Sequence, residues 1–256
     1  MKILICGKGG SGKSTVAALV ARDLAAKGHR VLAVDADESN YGLSIPLGLP
    51  APKELMDQLG GKKGVGDKLS KKRSAGGRLN IFGTPWRIDD IPRECLSTDG
   101  NLHLLQIGKV KHFGEGCACP MGGLSREFLV NLRLKEDDAA IIDTEAGVEH
   151  LGRGVASGAD LILVVVDPSY ESIKLSEKIS EMAKEDRKPV HFVLNRMDDA
   201  TVKQMLKMLG KERVVGAIPF SESIQEKGLK GGALDQDVPG LAAITTFAQN
   251  ATGGSR

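Results

Sequence analysis

Short unbroken apolar runs alternate along this chain with longer stretches in which apolar residues recur at helical spacing. Lys2-Ile3-Leu4-Ile5-Cys6 reads as a buried strand that stops at Gly7. Thr15 to Lys27 has helical periodicity and ends before Gly28, a stop signal. Arg30 to Val34 is a second strand, ending at Asp35. Further apolar strands are predicted at Leu102–Ile107, Ala139–Asp143, Leu161–Val166, Val190–Leu194 and Val214–Ile218. Helices are predicted at Leu124–Leu134 and near Gly147–Ser157 and Tyr170–Glu185, with a loop at Gly114–Gly123. Strands alternating with helices predict an α/β fold: a three-layer α/β/α domain around a doubly wound, mostly parallel sheet, with ligands at the carboxyl ends of the strands.

One region breaks the pattern. Residues 50–100 contain the basic, glycine-rich stretches Lys62–Lys68 and Lys71–Arg78. They read as a solvated, mobile insertion, with docking of an acidic partner as the alternative. The domain is expected over residues 1–250, followed by a flexible tail at 251–256 that lacks apolar periodicity.

Composition narrows the class. With 256 residues and 41% hydrophobic content, the chain can bury one sizeable core. Aromatics are only 4%, so the core is mostly aliphatic. A net charge of +2 demands neither nucleic acid nor a membrane as partner. No apolar run is long enough to span a bilayer, and the first strand leaves no room for a signal peptide, so the expected location is cytoplasmic.

The strongest chemical signal is Gly7-Lys8-Gly9-Gly10-Ser11-Gly12-Lys13-Ser14-Thr15. It meets the pattern GxxxxGK[ST] between a predicted strand and a predicted helix. Its glycines let backbone N–H groups approach phosphate oxygens, and the helix N-terminus adds its positive end. Lys13 supplies a point charge for the β- and γ-phosphates, and Ser14 a hydroxyl for Mg²⁺. MgATP is therefore the expected ligand. Asp35 and Asp37, in Asp35-Ala36-Asp37, and Asp143 lie at strand ends beside this loop. Such carboxylates orient water or hold a metal's water shell, or else cap the following turn.

Cys117-Ala118-Cys119-Pro120 lies between glycines. Two thiols one residue apart chelate a soft metal without completing its coordination, and a symmetric dimer would double them. Inert or redox-active thiols are the alternative. Cys6 reads as a buried strand residue. Cys95 has no partner motif. His103 and His112 read as structural histidines, with assistance to a metal as the alternative.

The form Lys-Gly-Gly-Ser-Gly-Lys-Ser resembles the deviant Walker motif of the MinD/ParA/nitrogenase iron protein class of ATPases. The resemblance implies an ATP-dependent homodimer in which Lys8 reaches the partner's nucleotide. It implies ATP/ADP contacts from Gly7 through Thr15, catalytic roles for Lys8, Lys13, Asp37 and Asp143, and Mg²⁺ held by Ser14, Asp35 and Asp143. Asp37 positions the attacking water, Asp35 lies nearer the Mg²⁺ shell, and Thr144-Glu145-Ala146-Gly147 is the second switch. Asn195 reads adenine and Pro219 lines its other face, although both residue types at strand ends also simply make turns. Together with Gly116-Cys117-Ala118-Cys119-Pro120 and Asp143-Thr144-Glu145-Ala146-Gly147-Val148-Glu149-His150-Leu151-Gly152-Arg153-Gly154, the chain looks like the CooC family. These are nickel-insertion ATPases of carbon monoxide dehydrogenase maturation. Glu38 departs from the proline expected there. The family implies Ni²⁺ (Zn²⁺ in vitro) at Cys117 and Cys119, with apo carbon monoxide dehydrogenase as client. Alternatives are a nickel ATPase for acetyl-CoA synthase, an iron–sulfur cluster carrier and a ParA/MinD-like positioning ATPase. His150 is a candidate for coupling the second switch to its neighbours.

Overall fold

The computed structural model describes residues 1–39, 42–77, 79–111 and 119–253. Its first βαβ unit is β1 (Lys2–Gly7), α1 (Lys13–Ala26) and β2 (Arg30–Ala36). Strand period sorts the side chains. Ile3 and Ile5 enter one apolar layer with Val16, Leu19 and Leu24 of α1, whereas Leu4 and Cys6 enter the layer on the opposite face. Both faces of the sheet are covered, which explains why its strands read as continuous apolar runs.

Two short helices follow, α2 (Ser44–Leu47) and α3 (Leu55–Gln58), then α4 (Gly61–Ser74). The sequence predicts a mobile insertion where α4 lies, and the structure corrects this to a helix. Val65 is fully buried in the layer shared with α5, and Leu69 packs against it. The antiparallel edge strand β3 (Leu96–Asp99) is unforeseen in the sequence; β4 (Leu102–Gln106) is one residue shorter than predicted. Helix α5 (Cys119–Asn131) starts inside the predicted loop, so Cys119 is its first residue.

Strand β5 (Asp138–Thr144) precedes a single helical turn, α6 (Glu149–Gly152), and a separate 3₁₀ turn at Val155–Gly158. The helix predicted near Gly147–Ser157 is thus broken, and Gly154 with φ +75° lies at the break. Strand β6 (Leu161–Val166) matches its predicted bounds, and helix α7 (Tyr170–Glu185) lies where a helical stretch is expected. Ser169 caps α7 by accepting a hydrogen bond from the Ser172 amide. The chain ends with β7 (Val190–Asn195), α8 (Asp199–Leu209), β8 (Val214–Ile218), α9 (Glu222–Lys230) and α10 (Leu241–Gly253). Residues 251–253, expected in a flexible tail, are the last turn of α10.

Among the described residues the sheet has eight strands in the order β3-β4-β2-β5-β1-β6-β7-β8. All neighbours pair parallel except β3 with β4. From β1 the chain crosses to one side for β2 and later returns to the other for β6, so the topological switch point lies at the carboxyl end of β1. Helices α1, α2 and α10 cover one face, and α3, α4, α5, α7 and α8 the other. No helix among the described residues is long and apolar enough to cross a membrane.

Candidate functional site

The loop joining β1 to α1 occupies the switch point. Gly7 has φ +144°, and a Cβ on it would lie 2.5 Å from the Val165 carbonyl oxygen. Gly12 has φ +95°, and a Cβ there would meet the Asn195 amide nitrogen at 2.2 Å. Only glycine fits either position. Asn195 closes the loop from β7 by donating to the Ser11 carbonyl at 2.8 Å, and Arg196 donates to the Gly10 carbonyl at 3.0 Å. Lys13 is 7% exposed and turns into the loop, its ammonium 3.3 Å from the Lys8 carbonyl.

Asp35 and Asp143 are register partners on adjacent parallel strands, so both carboxylates leave the sheet on the α1 side. Asp143 Oδ2 accepts a 2.6 Å hydrogen bond from Ser14 Oγ. Its Oδ1 is buried and accepts none, as does the buried Ser11 Oγ. Burial pushes the Asp143 carboxyl up to about 7, and the nearby Asp35 and Asp37 charges push the same way against the Ser14 hydrogen bond and Lys13. An orphaned carboxylate oxygen beside a serine hydroxyl is an oxygen donor set suited to a hard divalent cation.

Asp35, expected nearer the Mg²⁺ shell, stands beside Asp143 in register, with its oxygens taken up by its own chain. Its carboxylate is wholly buried and engaged by Lys109 Nζ at 2.8 Å, Gln106 Nε2 at 3.3 Å and the Leu43 amide at 3.3 Å. Its acceptor directions are spent on donors of its own chain, so it anchors the segment after β2. Burial nevertheless raises its pKa, despite Lys109. Asp37, 3% exposed, accepts from the Ser39 amide and hydroxyl at 2.9 and 2.6 Å, a turn-capping geometry.

Lys8 does not project away from the chain. Its ammonium lies 3.3 Å from Asp167 Oδ2, 3.2 Å from Ser169 Oγ and 3.8 Å from Glu171 Oε2. After β5, the Gly147 amide donates to the Gly7 carbonyl at 3.2 Å, docking this loop onto the phosphate-type loop. Thr144 Oγ1 donates to the Ile5 carbonyl at 2.9 Å and lies 3.4 Å from His150 Nε2.

Thr15, Asn195 and Pro219 line one cleft together with Arg196, Phe220 and α9 residues Gln225, Gly228 and Leu229. The first three are legible in the sequence, and the α9 wall emerges only in the fold. Phe220 and Leu229 are 55% and 83% exposed, a conspicuous pair of bare apolar side chains at a cleft mouth. Lys109 is also missed: only the fold brings it to Asp35.

The thiols divide sharply. Cys6 is buried behind the loop, and burial pushes its thiol up to about 12; Cys95 is buried too. Cys119 is exposed at the start of α5, and its sulfur is engaged in a disulfide. It borders a groove with Lys72, Arg73, Arg126 and Arg153. Cys117 and His112 lie outside the described residues. Among the described residues, no group of three or more His, Cys, Asp or Glu side chains converges to hold a metal.

Comparisons agree with this architecture. The sequence profile described as CbiA, the CobQ/CobB/MinD/ParA nucleotide binding domain, matches residues 2–234. The chain is 47% identical over 238 residues to an uncharacterized ATP-binding protein of Methanocaldococcus jannaschii, covering 93% of this chain and 95% of the relative. It is 35% identical over 231 residues to the carbon monoxide dehydrogenase accessory protein CooC of Rhodospirillum rubrum, covering 88% and 86%. Among solved structures, the septum site-determining protein MinD of Pyrococcus horikoshii, complexed with Mg-ADP, superposes with a TM-score of 0.70 at 19% identity, covering 98% and 97%. At that identity the likeness concerns the fold.

Proposed function

The chain belongs to the CobQ/CobB/MinD/ParA nucleotide-binding family, and from that premise we propose that it is an ATP-hydrolysing metallochaperone that delivers Ni²⁺ to an apo carbon monoxide dehydrogenase. The reading rests on one juxtaposition: a phosphate-type loop with a second lysine shares its domain with a helix that begins at an exposed cysteine. Similarity to the CooC accessory protein supports it.

The loop residues Gly7 through Thr15 would cradle the phosphates, and the cleft of Asn195 and Pro219 would take the base. Mg²⁺ fits Ser14 Oγ and the orphaned oxygen of Asp143, and it would neutralise charge on the phosphates. Asp35 acts through its field, because Lys109 occupies its oxygens. Lys13 turns from the Lys8 carbonyl to the γ-phosphate, and Asp37 orients the attacking water once the Ser39 cap loosens. Release of Lys8 from Asp167 frees it for the nucleotide of a second copy, which closes a homodimer.

Ni²⁺ is the cargo. Reduced Cys117 and Cys119 from two chains offer four thiolates, and closure of the dimer on ATP brings them together. A binding preference for one dimer geometry is what lets ATP bias the metal's affinity. A ParA/MinD-like positioning role is less well supported. The C-terminal helix α10 carries no basic residue and buries Leu241, Ile244 and Ala248 in the core, unlike a surface-seeking membrane helix.

The decisive experiment is metal analysis and solution mass of reduced wild type and the Cys117→Ser/Cys119→Ser variant, with and without ATP. The expected result is about one metal per two chains, dependent on both cysteines. Undiminished metal in the variant would overturn the cargo site and leave the nucleotide chemistry standing.

A further inference from the structure

Glu38, the residue that departs from the family pattern, has a partner in the structure. Its Oε1 lies 3.4 Å from Arg153 Nη1. The same nitrogen lies 3.6 Å from Glu145 Oε2. Glu38 directly follows Asp37 on the loop after β2, and Glu145 is two residues beyond Asp143 on the loop after β5. One guanidinium therefore stands between the two loops that frame the phosphate site. It donates a long hydrogen bond to Glu38, whereas the buried Glu145 Oε2 accepts none. Burial, with the Glu145 charge beside it, raises the Glu38 pKa above the ordinary carboxylate range. Two carboxylates compete for one cation, an arrangement in which a small loop movement exchanges partners.

The alkyl part of Arg153 lies against α5. A Cβ on Gly122 would come within 2.7 Å of Arg153 Cδ and 3.4 Å of its Nη1. Gly122 is buried in the first turn of α5, three residues after Cys119. Any side chain at 122 would press on the arginine, so glycine here permits the approach.

We propose that Arg153 is a positioning residue that ties both nucleotide-facing loops to the first turn of the helix bearing Cys119, so that a change at the triphosphate is transmitted to the thiol. The inference rests on the nucleotide half of the proposed function and supplies the connection its metal half lacks. Rearrangement of either loop strengthens one carboxylate contact and releases the other. The arginine follows, and its stem moves the Gly122 turn. The coupling requires both the charge and the close approach.

Two variants remove these separately. Arg153→Ala deletes the guanidinium. Gly122→Ala keeps it but wedges the stem, and alanine is well tolerated in a helix interior, so the fold is expected to survive. The readout is amide hydrogen exchange of residues 119–123 in the full, reduced chain with and without a slowly hydrolysed ATP analogue and Mg²⁺. Wild type is expected to change its exchange rate there about tenfold on adding nucleotide, and each variant less than about twofold. Retention of the wild-type response in both variants overturns the proposal, as does a wild type whose α5 ignores nucleotide. Titration of the same proteins with Ni²⁺ separates the two claims. A responsive α5 in a chain that binds no Ni²⁺ sinks the metallochaperone reading and leaves the tie intact.

Discussion

The nucleotide crevice and the cysteine-bearing flank are built by different physics. In the crevice, backbone shape does the work: Gly7 and Gly12 hold positive φ where any Cβ would strike Val165 or Asn195. In the flank, α4 is held from outside. It carries Lys62, Lys63, Lys68, Lys71, Lys72 and Arg73, with Gly64 and Gly66 interrupting it. Val65 and Leu69 pack toward α5, and Lys72 pairs with the buried carboxylate of Glu127. The phosphate-type loop is encoded locally, whereas the helix of the flank depends on tertiary contacts.

The hardest test of the crevice is Lys13→Ala. Loss of the charge on the transferring phosphoryl group should lower ATP turnover by about 100-fold or more, with the fold intact by circular dichroism. Near wild-type turnover would break the assignment of this loop to catalysis.

A second test concerns pH. The Asp143 carboxyl titrates at about 7 in the fold, far above an unfolded aspartate. The folded state therefore holds an extra proton between the two values. Stability attributable to this group falls as pH rises from about 4 to about 7, by a few kcal/mol at most, and then levels off. Urea unfolding of metal-free protein at pH 5 and pH 8 should show the loss, and Asp143→Asn should largely lack it. An equal loss in both proteins would move the cause elsewhere.

The flank has a smaller and more local sensitivity. Val65→Ala removes about 2 kcal/mol of buried contact and should loosen α4 in hydrogen exchange while leaving ADP affinity unchanged. A matching loss of ADP affinity would show that the two regions are energetically coupled. The mildest change is Gly66→Ala. A Cβ there meets nothing within 4 Å, so the substitution should stabilise α4 by about 0.5–1 kcal/mol in thermal unfolding.

The same contrast decides what was legible in the amino-acid sequence. Strands β6 and β8 are legible to the residue because unbroken apolar runs are local signals, and α7 lies near its expected place, although its cap at Ser169 emerges only in the fold. The β1 loop was legible because its spacing is dictated by phosphate geometry. Helix α4 was hidden, since its glycines and charges argue against a helix until α5 is present. The short edge strand β3 was hidden because its order comes from pairing with β4. The clamp on Asp35 was invisible because Lys109 lies 74 residues away in sequence. Glu38 looked like a departure from pattern; the fold gives it Arg153.

The antiparallel strand β3 is only four residues long and ends at exposed Asp99. A ribbon so brief, finished with a charge, gives a passing chain almost no rungs on which to stack. That edge of the sheet is a poor template for sheet extension by a second copy.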